Sequence, residues 1–184
     1  MKEQIIDTVS NLINRYGLRK FTVDEVASEL HISKKTLYQY FSSKDEMICQ
    51  YFDETLTSDR QSVEKTLSSD LPFSDKLHDI IHSSHKHRLP VFIMEETRQF
   101  YPEEWNKIKD LKDFKLQAFQ TLLKQASENG LLRSDIHFGI LSALLEKSSD
   151  LFLDTDFLLE NGMKATQAID EMLKIVMNGI LSQK

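Results

Sequence analysis

Along almost the whole chain, apolar residues recur at intervals of three and four, the spacing that gathers them on one face of an α-helix. The two-residue alternation of a half-buried strand is almost absent. From Lys2 to Tyr16, Ile5, Ile6, Val9, Leu12, Ile13 and Tyr16 form one stripe and Gly17 follows as a stop, which predicts a first helix. Thr22 then caps a second helix, with Glu25 three residues on to complete a capping box and Val23, Val26, Ala27 and Leu30 turned inward. His31-Ile32 makes a tight turn. Ser33 caps a third short helix, Lys34 to Phe41, which Ser42-Ser43 breaks. A fourth helix starts at Lys44-Asp45-Glu46, with Met47, Ile48, Tyr51, Phe52 and Leu56 as its inner face.

Beyond about residue 50 the helical spacing continues. Ser68-Ser69 and Pro72 separate the fourth helix from a fifth, about Ser74 to Arg88. Pro90 opens a short sixth, to Phe100. Pro102 sits in the first turn of a long seventh, which reaches about Asn129 and is ended by Gly130. An eighth covers about Asp135 to Leu153. After a loop near Asp154–Gly162, a ninth runs from about Lys164 to Leu181. The five glycines and three prolines fall mostly between these periodic stretches rather than inside them. The expectation is an all-α protein of about nine helices, with a small N-terminal domain at 1–48 and a helical bundle at 49–184.

Composition narrows the function classes. No apolar run approaches the length needed to cross a bilayer. The amino-terminal MKEQIIDTVSN has acids early and no apolar signal core, so a cytoplasmic protein is expected. A single cysteine, Cys49, excludes an internal disulfide and a cysteine-rich zinc site. The net charge of −6 argues against a nucleic-acid partner until its distribution is considered. Residues 1–48 balance seven basic against seven acidic side chains, so the excess of acid lies in 49–184. Residues 31–44 hold Lys34, Lys35 and Lys44 and no acid. An acidic body with a locally basic tip is compatible with DNA binding through that tip.

The stretch at 22–44, TVDEVASELHISKKTLYQYFSSK, carries the chemistry. Two short helices joined by a tight turn form a helix-turn-helix, which lays its second helix in the major groove. Leu37 and Phe41, one turn apart, would anchor that helix to the core. Lys34, Lys35, Thr36, Tyr38 and Gln39 are left for other faces, and they carry the donors and hydroxyls that meet phosphates and base edges. The helix amino ends at Thr22, Ser33 and Lys44 can offer N–H groups to phosphate.

The strings FTVDEVA at 21–27, ISKKTLYQYF at 32–41 and SKDEM at 43–47 resemble the N-terminal domain of the TetR family of bacterial transcriptional regulators. The resemblance covers about the first fifty residues. Further along it extends to the helix count and to the Asn129-Gly130-Leu131-Leu132-Arg133 stretch. It implies that Thr22, Tyr40 and Lys44 contact phosphates and that Lys34, Lys35, Thr36, Tyr38 and Gln39 face the groove. His31 stands where the family has Gly in the turn, and histidine tolerates positive φ better than most residues.

One recognition helix offers too little specificity, so a homodimer on a palindromic double-stranded operator is expected. Ile140, Leu144 and Leu151 on the eighth helix, with Ile169, Met172, Val176 and Ile180 on the ninth, are the expected interface. The resemblance also implies a repressor whose body senses a small, largely apolar effector, with Phe92, Met94, Phe100, Trp105, Phe114 and Phe119 as pocket candidates. No cofactor is implied. His78, His82, His85 and His87 lie close together in sequence, and His78-Asp79-Ile80-Ile81-His82 has the spacing of a metal-binding pair on one helix face. The alternative from another class is a metal-dependent hydrolase built on His78, Asp79 and His82, but it leaves residues 22–44 unexplained.

Overall fold

In a computed structural model, residues 1–82, 86–87 and 89–180 are described. They form ten α-helices and two short 3-10 turns, and no strand occurs among them. By their packing they divide into two units. The first holds Met1–Arg60 with Ser84–Ile108, the second Gln61–Ser83 with Lys109–Lys184. The expected boundary at residue 48 is therefore not where the packing divides. The fourth helix runs unbroken through that position, and the later segment Ser84–Ile108 folds back onto the amino-terminal helices.

The first unit begins with α1 (Lys2–Lys20), whose Ile5, Ile6, Val9, Leu12 and Ile13 are buried as the stripe predicts. Gly17 interrupts it at φ 86 and ψ 177, a region open almost only to glycine, and one further turn follows. Next come α2 (Val23–Glu29), α3 (Lys34–Leu37) and α4 (Lys44–Leu67). The third helix is half the expected length, because after Leu37 the chain passes into turn. A 3-10 turn (Val91–Ile93) and α6 (Met94–Phe100) pack on α1, with Ile93 and Thr97 fully buried. Met47, Ile48, Tyr51 and Phe52 of α4 are also fully buried.

In the second unit, α5 (Phe73–Ile81) stops well before the expected Arg88. Lys86 and His87 belong instead to the first unit. There the Lys86 ammonium lies 2.7 Å from Glu54 and its N–H donates to Ser58 Oγ at 2.8 Å. Pro102 opens α7 (Pro102–Glu128), which lies in the second unit from Lys109 onward. Its end is closed by Gly130 at φ 72: Gly130 N–H donates to Ser127 and Leu131 N–H to Ala126, the paired bonds of a Schellman stop. Then come α8 (Phe138–Ser149) and a 3-10 turn (Asp150–Phe152).

The expected loop at 154–162 contains a helix, α9 (Thr155–Glu160). Asp154 caps it and Gly162 stops it, at φ 61, with the same paired bonds. The last helix is α10 (Ala165–Ile180), and Leu181 lies outside the described residues. The guanidinium and N–H of Arg133 donate to the carbonyls of Gly179 and Ile180 at its end, where a cation is favoured. Val63, Leu77, Ile80, Phe119, Leu122, Leu123, Leu141, Leu145, Val176 and Ile180 make up most of this unit's core.

Candidate nucleic-acid interface

The helix pair at 22–37 is held by its own caps. Thr22 accepts the Glu25 N–H at 3.2 Å, and the Glu25 carboxylate accepts the Thr22 N–H at 2.6 Å, which completes the expected capping box. The turn after α2 is a third Schellman stop. His31 N–H donates to Ser28, Ile32 N–H donates to Ala27, and His31 takes φ 54, the one positive value outside glycine among the described residues. Ser33 then caps α3 by accepting the Thr36 N–H at 3.0 Å. Leu37 and Phe41 are buried as the expected anchors.

That anchoring leaves the expected groove set outside. Lys34, Lys35, Tyr38 and Gln39 are exposed, and Thr36 is half-buried. Lys34 pairs with Asp24 at 2.7 Å, a hydrogen bond that raises its pKa, so its charge is shared across α2 and α3. Of the groups assigned to phosphate, Thr22 and Ser33 are exposed and Tyr40 is half-buried. Lys44 is different. Its ammonium donates to the carbonyls of Arg19 at 2.9 Å and Phe21 at 2.8 Å and sits 4.1 Å from the Phe21 ring. Burial lowers its pKa, with Asp45 and Glu96 acting against that. At the start of α4, Ser43 caps the Glu46 N–H, and the Glu46 carboxylate takes the hydroxyl and N–H of Ser42, which hold its pKa down.

The remaining candidates do not form one site. Phe92, Met94, Phe100 and Trp105 belong to the first unit, with Phe92 and Phe100 exposed and the Arg19 guanidinium 4.2 Å from the Phe100 ring. Phe119 is buried in the core of the second unit and Phe114 packs against it. An open depression in the second unit is lined mainly by polar side chains, Asn161, Gln167, Asp170, Glu171 and Lys174 among them.

The histidines also separate. His78 and His82 stack on α5 with ring centres 4.5 Å apart, and His82 Nε2 lies 2.7 Å from Asp170. His87 is buried in the first unit near Asp7 and Glu54, and His85 lies outside the described residues. No three metal-binding side chains are grouped to hold an ion among the described residues, so nothing here supports the hydrolase reading.

The expected interface is partly corrected. Val176 and Ile180 are buried in their own unit's core and have almost no area left to offer a partner. Ile169 and Met172 are half-buried. Ile140 (70% exposed), Leu144 (57%) and Leu151 (40%) do form an outward stripe, joined on α10 by Ile175 (75%), which the stripe pattern did not select. The Ser148–Met172 contact at 3.2 Å sets α8 beside α10.

Capped short helices packed on a buried α1, with the second one presenting its lysines outward, define a helix-turn-helix protein. Residues 5–50 match the model of the bacterial regulatory proteins of the tetR family. It is 24% identical over 102 residues to the uncharacterized HTH-type transcriptional regulator YhgD of Bacillus subtilis (strain 168), a match that spans only 53% of each chain. To the fatty acid metabolism regulator protein of the same organism it is 20% identical over 183 residues, 96% of this chain and 94% of that one. Its fold is shared with a transcriptional regulator from Saccharomonospora viridis solved in complex with choline, at a TM-score of 0.72, 15% identity and 99% and 98% coverage. No helix among the described residues is long and apolar enough to cross a membrane.

Proposed function

We propose that this chain is a sequence-specific DNA-binding repressor of the cytoplasm, which grips a palindromic operator as a homodimer and releases it when a small, largely apolar ligand occupies the body. The observation that carries the reading is the outward set on and just after α3: Lys34, Lys35, Tyr38 and Gln39 are exposed while Leu37 and Phe41 bury the other side. Lys35 and Gln39 then read base edges. Thr22, Ser33 and Tyr40 hold the phosphates on either side. The effector part rests on the relatives, whose names tie one to fatty acid metabolism and another to choline.

The test is selection of a binding site from random duplexes, followed by titration with wild type and Lys35→Ala. A base-reading lysine predicts a palindromic site and a loss of about 1–3 kcal/mol on it, with preference relaxed at one position per half-site. Equal losses on every sequence would remove Lys35 from the groove.

A further inference from the structure

The helix-turn-helix at residues 22–43 has two points of attachment, the last turn of α1, which enters it, and the helix that leaves it. Both are held by one segment distant in sequence. At the entry, the Glu96 carboxylate accepts the Leu18 N–H at 2.7 Å. Gly17 permits this approach, because a Cβ there would stand 3.0 Å from Glu96 Oε2. Next along the chain, Arg19 lies over the Phe100 ring at 4.2 Å. At the exit, the Tyr101 hydroxyl donates to Asp45 at 2.7 Å. Lys44 ties the two points together, since it opens α4 and its ammonium donates to the carbonyls of Arg19 and Phe21 at the end of α1.

None of these groups is among the exposed side chains on and around α3. Their hydrogen bonds fix directions rather than add apolar burial, and a hydrogen bond to a charged group is roughly twice as strong as a neutral one.

We propose that Glu96 and Tyr101 form a clamp that sets the angle of the recognition helix, so that they govern operator affinity as positioning residues without touching DNA. This rests on the DNA-binding reading above. Lys44 braces the clamp through two of its three ammonium N–H groups, and the third remains for the phosphate contact that the resemblance implies. Positioning matters most for the operator, where side chains must meet base edges. It matters little for non-specific binding, which tolerates many poses.

The experiment titrates wild type, Tyr101→Phe, Glu96→Ala and Glu96→Gln against the selected operator and against a random duplex, over a series of salt concentrations. Melting curves confirm that each is folded at the assay temperature. Tyr101→Phe removes one hydroxyl and keeps the ring, so it remains informative where Glu96→Ala fails to fold. The expected result is an operator affinity lower by about tenfold for Tyr101→Phe and Glu96→Ala, with random-duplex affinity and salt slope as in wild type. Glu96→Gln, whose amide oxygen still accepts the Leu18 N–H, binds the operator like wild type. Tyr101→Phe and Glu96→Ala binding the operator as tightly as wild type, or losing operator and random duplex alike, would overturn the clamp alone. A wild-type chain that binds neither duplex would instead overturn the functional reading beneath it.

Discussion

His31 is where one residue most visibly compromises with its backbone. Three helices of this chain end in the same paired-bond stop, and Gly130 and Gly162 occupy the left-handed position in two of them. The third uses histidine at φ 54. An L-residue there costs about 1 kcal/mol, so His31→Gly is expected to stabilise by about that amount, read as a rise in Tm of about 2–4 °C. Gly17 is the opposite case. Its φ of 86 with ψ 177 and the neighbouring Glu96 carboxylate both exclude a side chain. Gly17→Ala is expected to destabilise by about 1–3 kcal/mol in denaturant unfolding, and an unchanged midpoint would show that both the strain and the close approach are relieved at no cost. Cys49 is the single thiol of the chain. Burial, then Glu104 beside it, push its pKa up to about 11. The expected outcome is that alkylation at pH 8 is much slower than for a free thiol and accelerates only as the pH approaches that value.

At the scale of elements, much of the helix order was legible because caps and stops sit where the periodicity breaks. Thr22 with Glu25, Ser33, Pro102 and Gly130 all mark boundaries that the structure keeps. Replacing Thr22 with Val removes the side-chain acceptor of the capping box, and about 1 kcal/mol of stability is expected to go with it, read in the same unfolding experiment. The misses have physical reasons. The six residues of α9 are too few to show a period, so only Asp154 and Gly162 could have marked it. The end of α5 was obscured because Lys86 and His87 continue a helical-looking string yet are drawn to Glu54 in the first unit. The clamp was unreadable for a similar reason: Leu18 and Glu96 are 78 residues apart, and only the fold brings them together.

At the scale of the whole molecule, the sequence pattern could assign apolar stripes to helices but not divide them between an inner core and a partner. Val176 and Ile180 went inward, while Ile140, Leu144 and Ile175 stayed exposed on adjacent helices. Isolated exposed apolar residues are ordinary, whereas a stripe on two neighbouring helices is a candidate interface. If that stripe joins two copies, Leu144→Glu with Ile175→Glu is expected to halve the mass seen in light scattering at micromolar concentration, with helicity unchanged. A single-chain mass for the wild type would contradict it.

The proposed function requires that the tip around α3 bind DNA electrostatically. Non-specific affinity that falls with salt is the direct signature of lysines displacing counterions. The decisive measurement is affinity for a random duplex across salt concentrations. With Lys34 and Lys35 of each protomer engaged, log affinity against log salt is expected to slope at about −3.6, a loss of about a hundredfold between about 50 and 200 mM. A flat dependence, or no binding at low salt, would contradict the account.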